Sequence, residues 1–399
     1  MNEPLNGVSE EAVALTRDAL VIDIYTTGFN QALRTLTKSG ASQEPGWFTK
    51  TAEELGADRA SVRFNLPHIK EGGLNVFAPS MPDIAIAGSS FGIANEYQLS
   101  SQIARRHAGE TEWPEDWSDF AWPPDPYAHY SLQYPPRSGM ANALVAHEIL
   151  MREIDAVDEL SLVRTADDIL RTQAEGKVGV LLDCNCVQMI EDALELLNVM
   201  HRLGFRQMLL ARFSRNLVVD SWVQTRTGGG LTPFGEAVIK EMNRLGMIID
   251  LSHTSDPGFW DVLKTSEAPV ICSHSNARAV HYHPRNLTDD QIKALAEKGG
   301  IIGLMCIFVG PGQDYRDGKS WPVSDPRFQK WLDHFDHMLA LAGPDHLGWG
   351  SDGYHSMIAT PAELPKLAEG LLQRGHSAEV IRKFLGENYL RVFKDIANA

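Results

Sequence analysis

Short, nearly continuous apolar runs alternate with amphipathic stretches along most of the chain. Eight runs stand out: LVIDIY (20–25), LNVFAPS (74–80), VGVLLDC (178–184), QMLLARF (207–213), MIIDLSH (247–253), PVICSH (269–274), IIGLMC (301–306) and HLGWGSD (346–352). A run of this length rich in Val, Ile and Leu is what a strand buried on both faces needs, as in a parallel sheet. Between the runs lie stretches of helical period such as IEDALELLNVMHRLG (190–204) and FGEAVIKEMNRLG (234–246), each closed by the glycine that commonly ends a helix. Eight strand–helix units predict an α/β chain folded as one (β/α)8 barrel of the TIM type over residues 1–399. An open doubly wound sheet would need a Gly-rich phosphate loop after an early strand, and none is present, so no dinucleotide cofactor is expected.

The rhythm breaks over 82–135, where WPEDWSDFAWPPDPYAHYSLQYPP (113–136) is dense in proline and aromatic residues with little periodicity. Aromatic side chains at that density pack rather than stay solvated, which predicts a long insertion after the second strand, folded over one end of the barrel.

Composition enters mainly through what it excludes. The 43% hydrophobic and 22% charged residues are those of an ordinary globular protein. A net charge of −16 leaves no basic surplus to neutralise phosphates, so nucleic acid and anionic membranes are excluded as partners. A small-molecule partner is expected, and a homodimer is left open. No run reaches the ~18–20 apolar residues that span a bilayer. The opening MNEPLNGVSEEAV lacks the basic and apolar regions of a signal peptide, which predicts a cytoplasmic protein. Cys184, Cys186, Cys272 and Cys306 are too few for a disulfide scaffold and suit a reducing compartment.

Barrel enzymes carry their chemistry at the C-terminal ends of the strands. The residues closing the apolar runs here are Asp23 and Tyr25, Asp183 to Cys186, Arg212, His253, His274, Cys306 and Asp352, a ring rich in metal-ligand types. Two of the runs end in the same dipeptide, Ser252-His253 and Ser273-His274. Histidines ending neighbouring strands point into one mouth, close enough to share a divalent ion that Asp352 would complete or orient. The pair Cys184 and Cys186, one residue apart, directs its side chains to opposite sides of a continuing strand and is read as buried structure. HYHPRN (281–286) puts Arg285, a planar fork suited to a carboxylate, on a loop near the same rim.

GLTPFGEAVIKEMNRLGMIIDLSHTS, APVICSHSNARAVHYHPRNLTDDQIKALAEKGGIIGL, HLGWGSD and GENYLRVF, in that order, resemble segments of the membrane (renal) dipeptidase family. Those proteins are (β/α)8 metalloenzymes that hydrolyse small dipeptides at a two-zinc site. The resemblance is clearest over about 178–393 and looser over 30–177. It implies that His253 and His274 hold one zinc, that Asp352 serves the other metal and the catalytic water, and that Arg285 receives the substrate carboxylate.

The rest of the family's pattern is missing. Its first strand ends in an Asp-Gly-His-Asn-Asp-like motif whose histidine and second aspartate bind metal; here DIYTT supplies Tyr25 and Thr27. The glutamate bridging both metals falls on Asn185, with Asp183 the alternative if gaps shift the match by two. The histidine that helps polarise the substrate carbonyl falls on Arg212. Two cations ~3.5–4 Å apart need a bridging anion, and asparagine carries no charge. The expectation is at most one divalent ion, zinc by ligand type, on His253 and His274 with Asp352, or else Asp183 or a cysteine, as the third ligand.

The function expected is amide hydrolysis on a small carboxylate-bearing substrate derived from an amino acid or peptide. Asp352, His253, His274 and Tyr25 are the catalytic candidates, and Arg285, Arg212 and Asn185 the substrate-binding ones. Two alternatives stand beside it: a metal-independent lyase, isomerase or cyclase built from the same residues, and a non-catalytic binding protein.

Overall fold

The computed structural model describes residues 7–29, 45–56, 62–81, 139–212, 215–222, 229–310, 320–354 and 357–397; the 82–135 insertion lies outside them. Its strands are β1 (Ile22–Thr26), β2 (Val76–Met81), β3 (Leu160–Val163), β4 (Val178–Leu181), β5 (Asp183–Cys184), β6 (Gln207–Leu209), β7 (Ile248–Asp250), β8 (Ile271–Cys272), β9 (Ile301–Leu304) and β10 (Leu347–Trp349). Each of the eight apolar runs contains a strand, and every strand pair is parallel.

The run 178–184 breaks at Leu182 into β4 and β5, which both pair along β2. From there the sheet continues through β6, β7, β8 and β9 to β10. β3, which the apolar pattern does not single out, adds to the free edge of β4. The sheet curls until its ends meet: the Ser351 N–H donates to Asp23 Oδ1 (2.9 Å) and the Asp352 N–H to the Tyr25 carbonyl (3.1 Å), joining the chain after β10 to β1.

Helices cover the outside of this barrel. Pro233–Leu245 buries Val238, Ile239 and Met242, starts at the Thr232 cap and stops at Gly246, whose φ of 64° is left-handed. The preceding amphipathic stretch is helical only over Glu195–Leu203, ending at Gly204 with φ 106°. A 3-10 turn, Val187–Ile190, runs into its first residue and is closed by Glu191 at φ 53°, a conformation that cannot continue a helix. Among the described residues no helix is long and apolar enough to cross a membrane.

Inside the barrel, Ile22, Ile24, Val76, Leu181, Ile248, Ile271 and Ile301 form one apolar cluster with Tyr389, Val392, Phe393 and Ile396 of the last helix, Asn388–Ala397. That helix closes the end of the barrel from which the strands start. The strand C-termini are left to form the site.

Asp23 at the β1–β10 seam is fully buried, and its second oxygen accepts from the Tyr354 hydroxyl (3.0 Å). Burial outweighs these hydrogen bonds and pushes its carboxyl up to about 7. A carboxyl raised in the folded state contributes stability that is whole below the unfolded value near 4 and lost as pH rises through 7. Asp23→Asn should therefore remove about 3 kcal/mol of the pH dependence of unfolding between pH 4.5 and 7.5. Denaturant titrations of both proteins at the two pH values check this; a stability difference that is the same at both pH values would refute it.

Candidate active site

Two strand-ending residues hold backbone conformations that non-glycine residues seldom adopt: His253 at φ 69° and Asp352 at φ 54°. Each is tied down on its main chain. The Trp222 N–H donates to the His253 carbonyl (2.9 Å), and the Thr27 hydroxyl donates to the Asp352 carbonyl (2.8 Å). Thr27 is thus a latch on the Asp352 turn.

The two histidines meet. His253 Nε2 lies 3.0 Å from His274 Nε2, and both residues are buried. The Trp222 indole N–H donates to His253 Nδ1 (3.3 Å), while His274 Nδ1 is 2.7 Å from Ser273 Oγ. The Ser273 hydroxyl donates in turn to Asp250 Oδ2, and Asp250 Oδ1 accepts the N–H groups of Ser252 and Ser273 (2.9 Å each). Ser252 Oγ accepts the His274 N–H (3.1 Å). Each half of the repeated Ser-His dipeptide therefore helps to hold the histidine of the second. Burial, with the positive charge of Arg285 next, drives both imidazoles well below the usual histidine value, so both are neutral.

Tyr25 stacks on His274, ring centres 3.8 Å apart and 8° from parallel. Its hydroxyl donates to Asn185 Oδ1 (2.7 Å) and shares a hydrogen bond with Ser80 Oγ (2.9 Å). Burial holds the phenol well above its ordinary value, so it stays protonated. Tyr25 and Asn185 thus satisfy each other. Asp183, also fully buried, has its carboxyl pushed well up by burial and then by nearby Asp250, so it is neutral. The Cys184 thiol points to the Cys186 carbonyl and the Cys186 thiol to Gln188 Oε1. Burial raises Cys186 to about 11 and holds Cys184 well above the ordinary thiol value, so neither offers a thiolate near neutral pH.

Arg285 and Arg212 are 3% and 6% exposed. Arg285 donates through Nη2 to the His274 carbonyl (2.8 Å) and through Nη1 to Ser275 Oγ (3.2 Å), which fixes it beside the histidine pair. Its loop is braced twice over: His283 Nδ1 accepts the Arg285 N–H (3.1 Å), and Arg278 grips Asp256 with both Nη atoms (2.8 and 2.9 Å). The charge of Arg212 also lowers both imidazoles. Two buried guanidiniums thus stand near the histidine pair in a protein of net charge −16.

Two imidazole nitrogens 3.0 Å apart could reach one ion, but a catalytic zinc takes three protein ligands. Among the described residues no group of three His, Cys, Asp or Glu side chains gathers to hold a metal. With Tyr25 and Asn185 hydrogen-bonded to each other, these residues do not fit a two-metal centre.

The strand-end rule finds His253, His274, Tyr25, Arg212 and Asp352 but misses Trp222, Ser273 and Asp250. The doubled Ser-His was the available signal for Ser273; SWVQTRTGGG, around Trp222, carries none.

The profile of the membrane dipeptidases, peptidase family M19, matches residues 93–399. Dipeptidase tcpJ of Claviceps purpurea is 35% identical over 245 residues, 60% of this chain and 56% of its own length. Dipeptidase verJ of Clonostachys rogersoniana is 32% identical over 291 residues, 70% of this chain and 72% of its own. The matched region thus spans little more than half of the first relative. Among solved structures, the metallo peptidase from Rhodobacter sphaeroides liganded with a phosphinate mimic of the dipeptide L-Ala-D-Ala shares the fold, with a TM-score of 0.69 at 24% identity over 95% of this chain and 100% of that one.

Proposed function

Because this chain belongs to the membrane dipeptidase family, peptidase family M19, whose members are metallopeptidases, we propose that it is a dipeptidase-like hydrolase diverted from simple dipeptides. Its substrate is a small amino-acid- or peptide-derived molecule with a free carboxylate and an amide bond to be cut. The observation that carries this reading is the pair of buried guanidiniums, Arg285 and Arg212, whose positive charge lowers both neighbouring imidazoles. A planar guanidinium pairs with a carboxylate through two parallel hydrogen bonds, and a substrate carboxylate is the ligand that such a fork recognises.

Asp352 takes the proton of the attacking water and returns it to the leaving nitrogen. Tyr25 orients Asn185 through its 2.7 Å hydrogen bond, and Asn185 contributes a neutral amide to the substrate site. The protein binds no more than one divalent ion. A second reading, a lyase, isomerase or cyclase using the same side chains without metal, draws on the neutrality of both imidazoles and of Asp183.

Arg285→Lys tests the carboxylate assignment. A point charge cannot reproduce a planar fork, so the affinity for an N-acyl amino acid should fall by roughly 1–3 kcal/mol, while the already weak binding of its carboxamide analogue stays unchanged. Ligand-observed NMR reads both. Equal losses for the acid and the amide would remove Arg285 from the carboxylate site.

A further inference from the structure

We propose that a cavity between helix Pro233–Leu245, the start of β6 and the last helix is a second binding site, for a small phosphate monoester held by Arg164 and Arg206. The cavity measures about 420 Å³, within the ~300–1,000 Å³ of small-molecule sites. Arg206 immediately precedes β6 and Gly246 leads into β7, while Phe393 and Ile396 come from the helix that closes the strand-start end of the barrel. This cavity and the histidine pair therefore lie at opposite ends of the strands.

Its polar wall is built around a cation that no carboxylate pairs with. Arg206 is half-buried and donates through Nε to the Arg164 carbonyl (2.9 Å) and through Nη1 to the carbonyls of His201 (2.8 Å) and Phe205 (2.9 Å). These bonds fix the guanidinium plane, but their acceptors are neutral. Arg206 Nη2 makes no hydrogen bond among the described residues, and neither does the exposed side chain of Arg164. The Thr165 hydroxyl accepts the Asp168 N–H (3.1 Å), which leaves its own proton to donate. The neighbouring carboxylates are engaged elsewhere: Asp168 accepts from Arg171 (2.5 Å) and from the Arg164 and Thr165 amides (2.8 and 2.9 Å), and Glu241 accepts from Arg244 (2.8 and 2.7 Å). Burial, and next the charge of Arg164, lowers the Arg206 guanidinium below its usual value, so the two cations act on each other. Burial and the charges of Arg206 and Arg244 lower the His201 imidazole in the same way, which makes that ring a reporter on this wall.

Two guanidinium forks on one cavity suit an anion with more than one charge and more than two oxygens. A phosphate monoester has close to two negative charges near neutral pH and three acceptor oxygens, whereas a carboxylate has one charge and two. Phe393 and Ile396, both buried, line the remainder and suit an organic group on the ester. A chain of net charge −16 repels anions as a whole, so such a ligand is drawn by this wall and not by the general surface.

Calorimetry on the full-length protein with phenyl phosphate tests the site. The wild type should bind it with a Kd below about 1 mM. Arg164→Gln, at an exposed side chain that holds nothing else, should weaken binding about 10-fold, the worth of a hydrogen bond to a charged group. Benzoate, with one charge, should bind about 10-fold more weakly than phenyl phosphate. In NMR spectra the His201 ring signals, assigned through His201→Gln, should move on adding phenyl phosphate to the wild type and equally to Arg285→Lys, which alters only the barrel mouth. No binding at about 10 mM, an unchanged Kd in Arg164→Gln, benzoate bound as tightly, or an unmoved His201 ring would each overturn the proposal. Binding that is lost in Arg285→Lys would also overturn it, by placing the anion at the mouth. None of these readouts depends on amide hydrolysis, so the proposed function stands or falls separately.

Discussion

Simple dipeptides should pass this protein almost untouched. Two-metal hydrolysis depends on a bridging carboxylate between cations ~3.5–4 Å apart, and the family resemblance puts Asn185, whose oxygen accepts from Tyr25 at 2.7 Å, where that carboxylate is expected. Thr27, which the resemblance matches to a second ligand, donates to the Asp352 carbonyl. Losing one preorganised electrostatic contributor typically costs ~10²–10³ in rate, and here several are lost together. A panel of L,L- and L,D-dipeptides assayed with zinc, with manganese and without metal should give turnover several orders of magnitude below about 1 s⁻¹, the lower end of ordinary enzyme rates. Turnover above that value would return the protein to plain dipeptidase chemistry.

The barrel was legible because a strand buried on both faces leaves a continuous apolar run, and eight such runs became strands. LSLV (160–163) escaped because it is short and its two central residues are only half-buried, so it lacks that signature. The helix expected from 190 starts at Glu195 because Glu191 turns left-handed, a local event that hydrophobic period does not encode. At the site, reading strand ends was enough to reach His253 and His274, which meet at 3.0 Å, and Tyr25, which stacks on the second. Spacing along the chain favours Asn185 over Asp183 as the match to the bridging glutamate; in the structure both are buried, and Asn185 Oδ1 accepts from Tyr25. Trp222 and Asp250 were hidden because their roles exist only through partners far along the chain, 31 residues from Trp222 to His253 and 23 from Asp250 to Ser273.

The second large effect is gain of metal binding. Tyr25→His, Thr27→Asp and Asn185→Glu made together should supply the three missing donors, and must be made together because Asn185→Glu alone buries a new carboxylate against the Tyr25 hydroxyl. Without metal the triple variant should be less stable than the wild type by about 2–4 kcal/mol, having lost a buried ring and its hydrogen bonds. Zinc at ~1,000 times its Kd should restore about 4 kcal/mol, visible as a metal-dependent rise in Tm that the wild type lacks. The triple variant should bind more divalent metal per chain than the wild type. Hydrolysis should stay limited, since the resemblance matches Arg212 to the family's carbonyl-polarising histidine and the triple variant leaves it unchanged. A triple variant whose Tm ignores zinc would mean that these positions do not face a common ion.

Metal content is the most direct test of the proposal that this barrel mouth holds at most one divalent ion. Elemental analysis of the wild-type protein, purified without chelators and washed free of loosely held ions, should find no more than one equivalent of divalent metal per chain. Two equivalents of zinc in the same sample would contradict it.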